Sequence, residues 1–314
     1  MTDIITVTAN PALDLSTDAP AVIPDRKLRC TAPLVHPGGG GVNISRAIAN
    51  LGGTSRALVA HGGTTGQELV ALIQAEGLMP ESLGIAHPTR QSISVRDGAT
   101  GLQYRFMLPG PPWSAQDADR ARATILEVAT DGALILPSGS LPPGLPPGFF
   151  PDLAPALAAR GARMILDTSG PALTYAARAG AGLFVLRMDT AEAEELTGRT
   201  LSDLDDIAAL TSELRAAGAA QIVIVAAGAQ GTVIDTGAWR GLTRPPVVVV
   251  HSKIGAGDSF MGAFALSLSR GEDPVTACCW GTAAAASAVT TYGTELCRRA
   301  EVERFYEQVE RVGM

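Results

Sequence analysis

From residue 133 onward the chain repeats one design, a short apolar run followed by a stretch with helical spacing. The runs are "ALILPSG" (133–139), "RMILDTS" (163–169), "LFVLRM" (183–188) and "QIVIVAAG" (221–228). Apolar runs of this length, each with a helix behind it, read as strands of a mostly parallel sheet with helices on both faces. The earlier chain supplies matching pieces. "IITVTAN" (4–10) is rich in β-formers and stops at Pro11, while "GVNISRAIANLGG" (41–53) and "GQELVALIQAEGL" (66–78) have the apolar spacing of helices. "VVVVHS" (247–252) reads as a further strand, and the Ala-rich segment 277–289 as a buried helix.

Two segments break that rhythm. "RKLRCTAPLVH" (26–36) and the pair "SISVRD" (92–97) and "QYRFML" (103–108) read as strands with no helix between them. "GATG" (98–101) makes the second pair a hairpin. These pieces predict a small antiparallel β lid, formed from about 15–37 and 90–108, inserted into one α/β unit spanning 1–314. Such a lid exposes strand edges unless they are paired, so a homodimer through the lid is expected.

Composition narrows the function. A formal net charge of −7 and no basic tract give no footprint for nucleic acid. No apolar run has the length and flanks of a membrane span, and the N-terminus reads as a strand, so a cytoplasmic protein is expected. Cys30, Cys278, Cys279 and Cys297 lack metal-ligand spacing, and the adjacent pair reads as buried thiols. His36, His61, His87 and His251 form no recognisable triad, and no G-x-G-x-x-G follows the first strand.

Two glycine-rich elements carry the chemistry. In "GAGDSF" (255–260) an aspartate follows the glycines and the chain runs straight into the apolar stretch Phe260 to Leu268. That is how a helix N-terminus looks when its free amides are meant to hold an anion. Gly255, Ala256 and Gly257 would form the anion hole, with Asp258 as general base or orienting group for a hydroxyl; Asp258 could equally be an N-cap. In "HPGGGGVNISRAIANLGG" (36–53) four consecutive glycines cost chain entropy on ordering, which suits backbone laid against a ligand. Asn43 follows at the helix start, able to donate to and accept from sugar hydroxyls, or to cap the helix.

Together these elements resemble the signatures of the ribokinase-like carbohydrate kinase family, and the resemblance covers essentially the whole chain. The order of "NPALD" (10–14), "PGGGG" (37–41), "TRQ" (89–91), "YRF" (104–106), "SGSLPPG" (138–144) and "GAGDS" (255–259) fits as well. Within the family, "KLRCTAP" (27–33) and "PGGGG" look most like the 6-phosphofructokinases. The 1-phosphofructokinases and tagatose-6-phosphate kinases usually carry a lysine in the glycine run.

The resemblance implies ATP-dependent phosphorylation of a sugar phosphate, with fructose 6-phosphate the first expectation. Fructose 1-phosphate and tagatose 6-phosphate remain open as substrates. Asp14, Gly39 and Asn43 would bind sugar hydroxyls, and Lys27 would lie near the substrate. Arg90 and Arg105, with the Ser140 hydroxyl, would clamp the phosphate already on the sugar, since a guanidinium fork matches phosphate geometry. Gly228 and Gly231 of "AAGAQG" (226–231) would receive ATP. Mg²⁺ would be held partly through water by Glu192, with Asp189 close by, and K⁺ is a further cation to consider.

The chain also departs from the pattern. Arg187-Met188-Asp189 stands where the family usually has Lys-Pro-Asn, and Lys253 stands where the relatives carry threonine. Arg187 and Lys253 are therefore the candidate cations for the nucleotide phosphates. The same departures leave open a sugar-phosphate-binding sensor that has lost efficient transfer.

Overall fold

The apolar runs become strands because both of their faces are covered: Ile5, Val7, Leu134, Ile135, Leu136, Ile165, Leu166, Val185 and Leu186 are all fully buried. The computed structural model describes residues 2–85, 87–291 and 295–314. β1 (Ile4–Thr8), β2 (Ala12–Ala19) and β3 (Leu34–Gly38) precede α1 (Gly40–Asn50). β4 (Arg56–Val59), α2 (Gly63–Ala75) and β5 (Pro80–Ser82) follow, then β6 (Arg90–Asp97), β7 (Gln103–Met107) and α3 (Ala115–Val128). The alternating part comprises β8 (Leu134–Pro137), α4 (Ala154–Ala158), β9 (Arg163–Asp167), α5 (Gly170–Arg178), β10 (Leu183–Asp189), α6 (Thr190–Thr197), α7 (Leu204–Ala216) and β11 (Ala220–Ala226). The chain ends with β12 (Thr232–Asp235), β13 (Arg240–Arg244), α8 (Ala256–Ser269), α9 (Pro274–Val289), α10 (Arg299–Tyr306) and β14 (Glu310–Gly313).

The main sheet runs β14-β13-β12-β11-β10-β9-β8-β1-β4-β5, parallel from β11 across to β5 and antiparallel at the β12–β14 end. One face packs on α3 to α7 through residues such as Ile125, Leu157, Leu173 and Leu210. The other packs on α1, α8, α9 and α10 through Ile44, Ile48, Phe264 and Val302. Each fully buried Leu, Ile or Phe side chain contributes roughly 1.5–3 kcal/mol, so the two layers fix the sheet firmly. The strand order turns back at β1. The chain proceeds outward to β4 and β5 on one side and to β8, β9 and β10 on the other. In open α/β sheets the crevice at such a switch point, outside the carboxyl ends of the strands, is where ligands bind.

The small sheet has the order β3-β2-β6-β7. Its outer pairs are antiparallel and the central β2–β6 pair is parallel, so the lid is mixed in pairing. Alternation gives it two chemistries. The register sets His36, Asp14 and Ser92 side by side on one face, with Ser94 beside Arg105, and Val35, Leu15, Ile93 and Phe106 in a row on the other.

Two strands expected from sequence are corrected. In 26–36 only the stretch from Leu34 is strand, and residues 26–33 are irregular and exposed. Pro33 has no amide to donate to a ladder, and the pairing begins just after it. "VVVVHS" forms no strand at all: Val247, Val249 and Val250 are exposed. The free edge of β13 is already paired with β14, so the valines have no ladder to join. β14, at the polar C-terminus, is not legible from local pattern.

Candidate active site

The glycine run brings α1 against the carboxyl ends of β1 and β8. A Cβ at Gly40 would lie 2.2 Å from Ser138 Oγ, and one at Gly38 would lie 2.2 Å from Asp14 Oδ2. Gly39 has φ 122° and caps α1, a conformation that excludes other side chains. Much of the run therefore serves close packing around the site. Asn43 is not a cap; its amide sits inside the helix, bonded to the Gly39 carbonyl, and its side chain points elsewhere.

The second glycine element opens α8. Gly255, at φ 76°, is the N-cap of α8, and no side chain caps the helix. Asp258 lies in the first turn and is not the cap. Its Oδ2 accepts from Asn43 Nδ2 at 2.9 Å, across 215 positions of sequence. Burial pushes the Asp258 carboxyl up to about 7, the Asp167 charge adds to the rise, and the Asn43 bond with the Arg187 and Arg46 charges opposes it. A carboxylate poised near neutrality at a helix N-terminus is suited to proton transfer.

β9 and β10 supply the floor. Asp167 ends β9 and bonds Ser138 Oγ through Oδ2 at 3.3 Å and Arg187 Nη1 through Oδ1 at 3.1 Å. The Arg187 guanidinium lies 3.1 Å from where a Gly257 Cβ would stand, directly beside the first turn of α8. Asp189 is the N-cap of α6 and forms a capping box with Glu192: Glu192 N donates to Asp189 Oδ1 at 2.9 Å, and Asp189 N donates to Glu192 Oε2 at 2.8 Å. Burial raises the Glu192 carboxyl to about 7, the Asp189 and Asp167 charges add to the rise, and the amide of Asp189 opposes it. The capping bonds use one oxygen of each acid. Among the described residues no three His, Cys, Asp or Glu side chains converge as a protein cage for a metal. A sparse carboxylate pair of this kind suits a cation that keeps most of its waters, as Mg²⁺ does.

Beside that pair opens a cavity of about 460 Å³, lined by Asp189, Thr190, Leu201, Ala227, Gly228 and Lys253 among others. Gly228 (φ 58°) and Gly231 (φ 121°) shape the turn at its wall. The expected nucleotide residues Gly228 and Lys253 thus share one cavity with Asp189, expected near the metal, while Arg187 stands beside the head of α8.

The small sheet supplies the opposite end. Asp14 is pushed up by burial, while the nearby charges of Arg90 and Arg105 and a bond from Ser92 pull it down. Arg90 is half-buried and donates to the carbonyls of Asn10 and Leu108 and to Ser92 Oγ. Arg105 is exposed on β7. Asn10 Nδ2 donates to Ser140 Oγ at 3.1 Å, tying the β1 end to the loop after β8. Hydrogen bonds run from Arg90 through Asn10 to Ser140, and from Ser138 through Asp167 to Arg187 beside Gly257. Lys27 stands apart, exposed in the irregular stretch of the lid.

Sequence reading missed Asp167 and Asn10 as site residues. An acid that follows the apolar "MIL" of "RMILD" and an amide two residues after β1 are the signals that mark them, because each is a polar group at the carboxyl end of a core strand. Elsewhere the quieter readings hold. Cys278, Cys279 and Cys297 are buried thiols, Trp113 packs edge-on to Phe149, and Trp280 stacks on Tyr306. No described helix is long and apolar enough to cross a membrane.

Comparison with known proteins places the whole chain in one family. A family model described as pfkB family carbohydrate kinase matches residues 7–301. The ATP-dependent 6-phosphofructokinase isozyme 2 of Mycobacterium tuberculosis is 38% identical over 97% of this chain and 89% of its own. The crystal structure of phosphofructokinase-2 from Escherichia coli in complex with fructose-6-phosphate superposes with a TM-score of 0.90 at 35% identity, covering 98% of this chain and 99% of that one. The same enzyme in complex with potassium gives a TM-score of 0.92 at 36% identity over 98% and 99% of the two chains.

Proposed function

The chain belongs to the pfkB family of carbohydrate kinases, and on that premise we propose that it transfers the γ-phosphoryl group of ATP to the C1 hydroxyl of fructose 6-phosphate. The observation that carries the reading is Asp258, poised near neutral pH, set at the uncapped head of α8 and tied to Asn43 of the glycine-run helix. Names borne by the relatives, which include a fructose-6-phosphate complex, favour this acceptor.

In this reading Arg90, Arg105 and Ser140 hold the 6-phosphate, and Asp14 with the backbone at Gly39 orients the sugar hydroxyls. Lys27 would approach from the lid. Asp258 takes or orients the C1 hydroxyl proton as the oxygen attacks in line. The amides of residues 255–257 and the Arg187 guanidinium receive the charge that spreads over the transferring group. Gly228 and Lys253 border the cavity that would take ATP, and Gly231 ends the turn that follows Gly228. Mg²⁺, when bound near Asp189 and Glu192, neutralises phosphate charge and orients the chain of phosphates. Potassium is proposed as an activating cation because the Escherichia coli relative is known in complex with it. The lid excludes water that would otherwise hydrolyse ATP. Its exposed Leu34, Phe106 and Met107 fit a homodimer joined through the lid, and a cytoplasmic setting belongs to the same reading.

ADP release with Mg-ATP across fructose 6-phosphate, fructose 1-phosphate, tagatose 6-phosphate and fructose tests the proposal. Highest kcat/KM on fructose 6-phosphate is expected. A preference for either other phosphate would reassign the acceptor, and equal use of free fructose would remove the clamp role of the arginines. Tight sugar-phosphate binding by calorimetry without turnover would replace the kinase with a sensor.

A further inference from the structure

Arg46 and Glu76 have no place in the chemistry above, yet they form a bidentate ion pair close beside it. Arg46 lies one turn after Asn43 on α1, with its side chain only 10% exposed. Glu76 is the C-cap residue of α2. Arg46 Nε donates to Glu76 Oε2 at 2.5 Å and Nη2 to Oε1 at 2.9 Å. The remaining arm, Nη1, donates to Asn43 Oδ1 at 3.1 Å, and Asn43 Nδ2 in turn donates to Asp258 Oδ2 at 2.9 Å.

The direction of that chain is dictated by donor chemistry. A guanidinium has five donors and no acceptor, so the atom of Asn43 facing it must be the carbonyl oxygen. The amide nitrogen is then forced onto the aspartate. Without the guanidinium the side-chain amide is free to flip, which would turn its oxygen toward the carboxylate and repel it. An ion pair that only fastened α1 to α2 would have no need of the third arm.

Resting on the kinase reading, we propose that Arg46, held by Glu76, is a positioning residue for phosphoryl transfer: it locks the Asn43 amide so that its NH₂ fixes the plane of the Asp258 carboxylate and keeps the base aimed at the acceptor hydroxyl. The charged and polar groups facing Asp258 are Asn43 and Arg46 from α1, Asp167 from the end of β9 and Arg187 from β10. Arg46 acts through Asn43. Misplacing a reacting group by about 1 Å costs on the order of 10²-fold in rate, which sets the scale of the expected loss.

Steady-state kinetics of the full chain with Mg-ATP and fructose 6-phosphate tests this. Arg46→Met should lower kcat by about 10- to 100-fold while KM for the sugar phosphate stays within about threefold. The acidic limb of the pH profile should move to higher pH, because Asp258 loses the oriented donor that favours its ionised form. In an Asn43→Ala background the same change should cost less than about twofold further, since the part it orients is gone. Arg46→Lys, which keeps the charge but not the fork, should recover part of the loss and serves in the same cycle if Arg46→Met does not fold. An unchanged kcat, an unmoved acidic limb, or losses that multiply in the double variant would overturn the proposal. A parent enzyme inactive on every sugar phosphate would instead defeat the kinase reading, and this proposal with it.

Discussion

Arg187 Nη1 lies 3.1 Å from Asp167 Oδ1, with both side chains only 11% exposed. The two residues stand side by side on neighbouring parallel strands, and the guanidinium held between them sits beside Gly257 at the head of α8. A strand-end ion pair thus lies against the first turn of α8. The buried arginine is accommodated because Asp167 accepts from one arm of its fork.

Removing one member of a buried pair strands the other charge. Arg187→Met should destabilise the protein by about 3–5 kcal/mol, and Asp167→Asn added to it should restore part of that loss. Urea denaturation of the single and double variants measures both. A single variant as stable as the parent would show that the pair contributes no net stability.

Asp258→Asn keeps the shape of the residue and its place in α8 but removes the base. Sugar-phosphate binding by calorimetry should persist, while kcat falls by about 10²–10⁴-fold. Turnover near the parent's value would end the assignment of Asp258 as base or orienting group.

The same carboxyl, pushed up to about 7, sets a pH dependence. Transfer needs the ionised form, so kcat/KM should fall as pH drops through about 7. Stability should change in the opposite sense. The raised folded-state value means the native protein binds the proton more tightly than the unfolded chain does. This group's contribution is therefore fully present below the ordinary carboxylate range and lost as pH rises through about 7. Activity and urea midpoint recorded from about pH 5 to 8 separate the two trends, and an activity profile flat across neutrality would contradict the first.

Arg105 is exposed on β7, so its loss should leave folding within about 0.5 kcal/mol of the parent. Taking a charge-assisted phosphate bond away from the lid should raise KM for the sugar phosphate by about 10- to 100-fold. Arg105→Gln tested on the phosphorylated and the free sugar measures the difference. Equal effects on both would show that Arg105 does not hold the phosphate.

The lid row Leu15, Val35, Ile93 and Phe106 ends in a phenylalanine 52% exposed. Placing a charge there should break an association formed through the lid. Light scattering at micromolar concentration should report a dimer for the parent and a monomer for Phe106→Asp. A monomeric parent would dismiss the expected homodimer.

The alternating apolar runs specified the parallel strands β8 to β11, because a strand buried on both faces is apolar along most of its length, although β11 is followed by the antiparallel β12 and not by the expected helix. Local pattern was enough as well for the 98–101 hairpin and for Gly255 at a helix head, where a positive φ dictates residue type. The misreading of 247–252 and the unread β14 have one cause. Residues 247–252 have the composition of a strand, and β14 lacks it, yet β14 takes the edge of β13. Pairing is decided by which segment reaches the edge, and that is a property of the assembled chain.

The site divides in the same way. Asp14, Asn43, Arg90, Asp258 and the glycines were singled out in the sequence by their likeness to the family's signatures. It took the folded chain to show that Asn43 serves Asp258 instead of capping its helix, that Asp167 pairs with Arg187, and that Arg46 reaches across to Glu76. Those pairings join residues far apart in sequence. Their energies depend on distance and burial, and neither exists until the strands have set their carboxyl ends side by side.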